Sequence, residues 1–454
     1  MVIAHQILFL LLVATAGWLF LRRIWRIRRN ILSGRADPRS DRPAMRWRNV
    51  LLIAFGQKKM FKRPLAAFFH LLIYVGFLII NIEGIEFFLD GITGKHRTVA
   101  RSLNDIGLNS FYNVTLNLFE FLAVGVILAC VIFLIRRNLY RVKRFDGAEM
   151  SRWPKLDANL ILIFEIILMF AIMSMNAADQ ILQERGVAGY PHTGRMIFSD
   201  LFASPFYRGL QTPTLIAVER VAWWLHIIGI FGFAVYVTYS KHLHTFMAFP
   251  NTYYANLEAP GKMQSMPEVT REVKTMLGLS GADASNSDAP GRLGARDVTD
   301  LSWKSLMDAY TCTECGRCTA VCPASITGKK LSPRKIMMDT RDRLEIWGAG
   351  ADGSAGEKPL LDGHISREEV FACTSCNACV EACPVLIDPL SIIVQLRRYL
   401  AMEESGSPSQ WNMMYSNLET SFSPWKFSHS DRFNWAGEIN GGTTQESTSS
   451  TGSS

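Results

Sequence analysis

Outside two short runs near its C-terminal end, this 454-residue chain is almost free of cysteine: eight of its nine lie in those runs, and the ninth, Cys130, stands alone. A disulfide-stapled scaffold is excluded, since such scaffolds are short and cysteine-dense throughout. Charged residues are few, 19% against 49% hydrophobic, so the chain is not an intrinsically disordered one. No glycine-rich loop follows a strand pattern, so a nicotinamide or flavin nucleotide would have to sit on a partner. Long apolar runs, by contrast, crowd the first 250 residues, and the averages hide two unlike halves.

Five apolar stretches, Ile3 to Leu21, Leu65 to Leu89, Phe111 to Ile135, Ala158 to Ile181 and Leu215 to Tyr239, are each near the roughly 20 residues that a bilayer-spanning helix needs. The first is read as a membrane helix and not a signal peptide, because it has no basic start and no small-residue cleavage site before the arginines that follow. Lysine and arginine number 14 between Arg22 and Arg63, three between Asp90 and Ser110, seven between Arg136 and Lys155, and three between Gln183 and Pro213. The positive-inside rule then places the first and third connections in the cytoplasm, the N-terminus outside and everything after His242 in the cytoplasm. The expected location is the bacterial inner (plasma) membrane, as a multi-pass protein among its lipids. This topology accounts for the net charge of +8, and the run RRIWRIRR belongs beside a span rather than on nucleic acid. The apolar piece Val50 to Gly56, followed by QKKMFKRP, is too short to cross and fits the cytoplasmic interface.

The fold class expected is all-α: a five-helix transmembrane bundle followed by a mainly helical second domain. The boundaries expected are a membrane domain over 1–249, a linker over 250–298 with one short helix near Val269 to Leu277, a second domain over 299–436, and a polar disordered tail over 437–454.

Both cysteine runs, Cys312-Thr-Glu-Cys315-Gly-Arg-Cys318-Thr-Ala-Val-Cys322-Pro323 and Cys373-Thr-Ser-Cys376-Asn-Ala-Cys379-Val-Glu-Ala-Cys383-Pro384, read C-x2-C-x2-C-x3-C-P. Three thiolates at two-residue gaps wrap one cubane, and in two-cluster ferredoxins the fourth cysteine of each run ligates the other cluster. That crossing predicts one [4Fe–4S] cluster on Cys312, Cys315, Cys318 and Cys383, and a second on Cys373, Cys376, Cys379 and Cys322. Structural zinc prefers paired cysteines at wider separations, and disulfides do not suit the reducing cytoplasm. Between the runs lie a helical stretch, Pro333 to Ile346, and a glycine-rich loop, Gly348 to Gly356; another helical pattern covers Leu390 to Glu404. Cys130, within the third span, reads as a packed apolar thiol.

Of nine histidines, His70 at the cytoplasmic start of the second span and His244 at the cytoplasmic end of the fifth lie at similar depth. On one continuous helix, His226 and His244 share a face while His242 points almost opposite. Two imidazoles from different spans at equal depth fit the axial clamp of a b-type haem; spacing alone fits two interfacial histidines as well.

The segments FGQKKMFKRPLAAFFHLLIYVGFLI and WWLHIIGIFGFAVYVTYSKHLHTFMAFP resemble the second and fifth helices of cytochrome b subunits of the nitrate reductase gamma family, a fold that also occurs in membrane subunits of heterodisulfide reductases. The region from SWKSLMDAYTCTECGRCTAVCPA to SPWKFSHSDRFNWA is similar to the helical dicluster ferredoxin module of the heterodisulfide reductase family. The resemblance implies a haem b on His70 and His244, with His226 matching one ligand of a second, outer haem. The partner of His226 would fall ten residues after His70, where this chain has Ile80, so a second haem is left open. That family's paired Cys-Cys-Gly repeats are absent, which implies a separate cytoplasmic redox partner with a cysteine-rich or flavin domain.

Carboxylates within spans are costly and mark cavities or partners, which singles out Glu83, Glu86, Glu120 and Glu165. Glu83 and Glu86 share a face near the outer end of the second span, where they would suit a proton or quinone site. The expected function is an electron-transfer subunit of a quinone-linked oxidoreductase, with menaquinone or ubiquinone as substrate and a heterodisulfide reductase-like or electron-transfer flavoprotein-like partner. The rival is a membrane-anchored iron–sulfur sensor without haem. An ion pump is disfavoured, since Asp179 and the glutamates form no evident path in the sequence.

Overall fold

A computed structural model describes residues 2–140, 142–279, 292–350 and 358–441. Parts of the expected linker (280–291), of the glycine-rich loop (351–357) and the tail beyond 441 lie outside the described residues.

Five helices are long and apolar enough to cross a membrane. They are α1 (Val2–Leu32), α3 (Pro64–Thr93), α5 (Asn109–Asn138), α6 (Trp153–Glu184) and α9 (Thr212–Val237), with the short α2 (Pro43–Asn49) after α1, α4 (Thr98–Asp105) after α3, and α7 (Ile197–Phe202) and α8 (Ser204–Tyr207) before α9. Each satisfies its backbone internally, which is what a segment in hydrocarbon requires. Proline at the first position starts α3, and Gly94, with φ of 67°, stops it in the left-handed region. The helices close a ring: α1 packs on α3 and α9, α3 on α5, α5 on α6, and α6 on α9. Phe9, Phe87, Leu116, Leu122, Ile172 and Trp223 fill its core, while Leu10, Leu78, Ile82, Phe121, Ile167 and Ile228 are exposed on the outside, as lipid-facing side chains should be. The piece at Val50–Phe55 forms a π-helical turn that packs, through Phe55 and Phe249 at 4.7 Å between ring centres, on α10 (His244–Tyr253).

The cysteine-bearing region is built twice over the same plan. A helix, α12 (Trp303–Thr311), runs into the first cysteine loop; α13 (Arg317–Ala320) and α14 (Pro323–Ile326) carry its end, and α15 (Pro333–Ala349) follows. In the second copy, α16 (Arg367–Ala372), started by a Ser366–Glu369 capping box, runs into the second loop, and α17 (Ala378–Ala382) and α18 (Pro389–Met402) follow. The two loops bend alike: Glu314 and Gly316 in the first, and Ser375 and Asn377 in the second, all take positive φ. Glycine and asparagine at the second of these positions are the residues that adopt this conformation most cheaply.

The compact units do not follow the boundaries expected from composition. Residues 1–265 and 295–396 form one unit, and 266–294 with 397–454 form another. Membrane helices and cysteine loops thus share a unit. The chain after α1 touches the start of α12 so closely that a Cβ on Gly34 would lie 2.6 Å from Trp303 N. Arg23 pairs with Glu345 at 2.6 Å, Asn30 Nδ2 donates to Tyr310 at 2.9 Å, and Arg334 pairs with Glu149 at 2.7 Å. The first six residues of the expected linker, through Ala255, are likewise packed: Asn251 and Thr252 are fully buried. The second unit holds α11 (Pro267–Met276), within the range expected for a short helix, together with α19 (Ser409–Ser421) and α20 (Asn434–Gly441).

Candidate redox centre

The cysteine loops follow from their helices. Cys312 and Cys373 each stand at the C-terminal end of a helix, and the left-handed residues after them turn the chain between the cysteines of each loop. Cys312, Cys322, Cys379 and Cys383 are buried, Cys315, Cys318 and Cys373 half-buried, and Cys376 exposed. Cys383 lies near Cys315, Cys318 near Cys312, Cys315, Cys383 and Cys379, and Cys379 near Cys373 and Cys322, so the two loops bring their cysteines together. Burial pushes the thiols of Cys312, Cys379 and Cys383 up to about 12, so they give up their protons only to a metal. Among the described residues no three His, Cys, Asp or Glu converge as a single ion would require. Backbone N–H groups of Ser375 and Ile387 donate to Cys373 Sγ at 3.4 Å and Cys383 Sγ at 3.3 Å, contacts of the kind that tune a cluster's potential.

The first loop walls a cavity of about 360 Å³ lined also by His70, His244 and His242 and by Glu314, Cys315 and Arg317. The rings of His70 and His244 are 6.4 Å apart, near the roughly 6 Å expected for two imidazoles on opposite sides of one metal at about 2 Å from each nitrogen. Their second nitrogens are fixed: His70 Nδ1 donates to Gln57 Oε1 at 3.0 Å, and His244 Nδ1 to the Lys241 carbonyl at 3.1 Å. Each Nε2 therefore carries the lone pair that ligation needs. Arg137 Nε and Arg144 Nε and Nη1, from residues on the same cavity wall, are buried with no hydrogen-bond partner. Orphaned guanidinium donors are expensive unless an anion meets them. Glu314, between two cysteines, is held by Lys241 and by Arg341 at 2.9 Å, and these cations keep its carboxyl below the usual range against burial. That clamp ties the loop to the chain just after α9.

His242 does not point away from His226. Helix α9 ends at Val237, and Ser240 caps a separate turn, so the single-helix argument that opposed the two residues fails. His242 lines the His70–His244 cavity and also a second one of about 180 Å³, shared with Glu165 and His226. His226 Nδ1 donates to the Leu168 carbonyl at 3.1 Å, and its ring lies 5.3 Å from Phe87. No ring-to-ring contact joins it to another histidine among the described residues, and Ile80 lines the same cavity. A second haem, left open by the sequence, finds half the space of the first site here.

At the end of the bundle away from the cysteine loops, Glu83 and Glu86 line neither cavity. Glu86 accepts the Val99 and Ala100 N–H groups at 3.1 Å each and the Tyr112 hydroxyl at 2.5 Å, which caps α4. Arg97, fully buried, joins Asp179 at 3.1 Å, Asn176 at 2.5 Å, and Glu83 and Glu86 at 3.5 Å each. His96 bonds Asp179 at 3.0 Å, and Asn176 reaches Glu120 at 3.2 Å, whose carboxylate also takes the Phe198 and Ser199 N–H groups at the start of α7. Asp179, Glu83, Glu86 and Glu120 do form a network, then, but one that holds the connections α4 and α7. Arg97 and His96 were invisible to spacing because they act across four elements.

The 4Fe-4S dicluster domain family matches residues 311–387. Among curated proteins, the chain is 27% identical over 472 positions to the probable iron-sulfur-binding oxidoreductase FadF of Bacillus subtilis (strain 168), covering 96% of this chain and 61% of that protein. It is 25% identical over 427 positions to the EtfAB:quinone oxidoreductase of Syntrophomonas wolfei subsp. wolfei, with 88% and 55% covered. A probable membrane-anchored ferredoxin of Chromohalobacter salexigens is 32% identical over 180 positions, with 36% and 26% covered. The chain spans about three-fifths or less of the length of these relatives. No solved structure matches. The chain is therefore an all-helical, multi-pass membrane protein whose eight clustered cysteines form a dicluster domain for two [4Fe–4S] clusters, distantly homologous to membrane-anchored iron–sulfur oxidoreductases.

Proposed function

We propose that the chain is an electron-transfer subunit linking a quinone in the bundle to a cytoplasmic partner resembling electron-transfer flavoprotein or heterodisulfide reductase. The observation that carries this reading is the shared cavity: His70 and His244 face it from the bundle, and Cys315 faces it from the first cysteine loop. His70 and His244 would hold one haem b, with Arg137 and Arg144 donating to its carboxylates. Cys312, Cys315, Cys318 and Cys383 would hold the cluster nearer that cavity, and Cys373, Cys376, Cys379 and Cys322 the other. When bound, these groups supply one-electron relays. The exposure of Cys376 puts the second loop where a partner can approach. Gln57 and the Lys241 carbonyl hold the Nδ1–H tautomers of His70 and His244, whose Nε2 atoms would then be able to ligate, and the Lys241–Glu314–Arg341 clamp holds the first loop against the cavity.

His70→Ala tests the assignment. Loss of the haem absorbance with iron per chain unchanged is the expected result. A normal low-spin spectrum in that variant would exclude His70 as a ligand. Wild-type protein with its full iron and no haem would favour the anchor or sensor reading.

A further inference from the structure

The cavity of about 180 Å³ beside His226 is left unassigned by the electron-relay reading. Its walls come from α3, α5, α6 and α9, and Ile80, Leu168, Met169, Ile230 and Phe233 make it mostly apolar. Asn81, on the candidate span α3, and Phe246, on α10, also line it and are exposed at the surface. Two polar groups line it with hydrogen-bonding capacity to spare. Glu165 is 8% exposed and makes no hydrogen bond or ion pair among the described residues. His226 is 3% exposed, and because its Nδ1 is committed to Leu168 at 3.1 Å, Nε2 offers a lone pair. A buried carboxylate without a partner is costly enough in the membrane to imply a ligand. Glu165 lies one turn before Leu168 on α6, so both groups serve the same stretch of cavity.

We propose that this cavity is the quinone headgroup site, with Glu165 and His226 as the partners of its two oxygens. This rests on the quinone-linked reading above and gives it a place. An apolar slot opening beside lipid, with one hydrogen-bonding group for each of two oxygens, suits a quinone and its hydrocarbon tail. Phe77, Glu165, His242 and Thr245 also line the His70–His244 cavity, so only side chains separate the headgroup site from the proposed haem pair. Quinol oxidation breaks two O–H bonds and releases two electrons and two protons. The two [4Fe–4S] clusters, each taking one electron, balance the electrons; His226 Nε2 and the Glu165 carboxylate, each taking one proton, balance the protons. Ile80, where a second haem ligand was sought, is instead part of the apolar wall.

The test uses the full chain with its clusters in lipid nanodiscs and a photoactivatable azidobenzoquinone bearing a short alkyl tail. After illumination, cross-links are mapped by mass spectrometry, with and without excess decylbenzoquinone. Expected are competed cross-links within residues 76–84 and 226–246, and at least about tenfold weaker labelling affinity in Glu165→Gln at unchanged iron and haem content. Competed cross-links confined to other segments would overturn the site while leaving the quinone reading intact. No competed cross-link anywhere would overturn both. Two haems per chain in the wild type would also overturn the site, by filling the cavity. Should Glu165→Gln fail to assemble, the wild-type map alone decides.

Discussion

The bundle buries polar groups at both ends, and the ends differ in how those groups are satisfied. At the end away from the cysteine loops, Arg97 meets Asp179, Asn176, Tyr112, Glu86 and Glu83, and Glu86, Asp90 and Glu120 spend their oxygens on backbone N–H groups of α4 and α7. Even Glu83, which makes no hydrogen bond, keeps the Arg97 guanidinium at 3.5 Å. At the end beside the cysteine loops, His70 and His244 present free lone pairs, and Arg137 and Arg144 present free donors, around open space. Both clusters would score alike by residue type. Satisfaction separates them: a closed network holds a fold, whereas an open one awaits a ligand.

Substitutions at the two ends sharpen that contrast. The largest effect is expected from Arg97→Ala, which strands several buried carboxylates and should cost about 3–5 kcal/mol. Denaturation in detergent would show it, with haem and iron lost only in proportion to folded protein; a stable variant would mean the outer network is not structural. Cys312→Ser comes next: iron should fall from about eight to about four per chain while the haem spectrum persists, and loss of all iron would show that the clusters assemble only together. Lys241→Met leaves Glu314 with Arg341 alone, and a loss of about 1–3 kcal/mol is expected, seen as earlier release of the first cluster on heating. Arg144→Gln should be milder still, keeping the fold and iron while haem binding weakens about tenfold on titration of apo-protein. Unchanged haem binding there, and in Arg137→Gln, would assign those donors another anion.

Much of this was legible in the sequence because its chemistry is local. A span declares itself within about 20 residues, and each cysteine run declares itself within twelve, from Cys312 to Pro323 and from Cys373 to Pro384. Longer relations were harder. His70 and His244 could be paired by depth, but His242 was misplaced, since its direction depends on where α9 stops and on the Ser240 cap. The arginine run at the C-terminal end of α1 read as topology alone, whereas Arg23 and Arg29 also reach Glu345 and the Gly348 carbonyl. Such contacts span more than 300 residues, and no periodicity encodes them. Glu165 was one of six carboxylates within the five apolar stretches; only packing reveals that Glu86 and Glu120 are spent and Glu165 is not.

The most direct measurement is a reduced-minus-oxidised optical spectrum of the purified chain in lipid, with haem and iron counted and a quinol used as reductant. One haem b per chain, reducible by quinol, with about eight irons is the expected result. About eight irons with no haem, or a haem that quinol leaves oxidised, would contradict it.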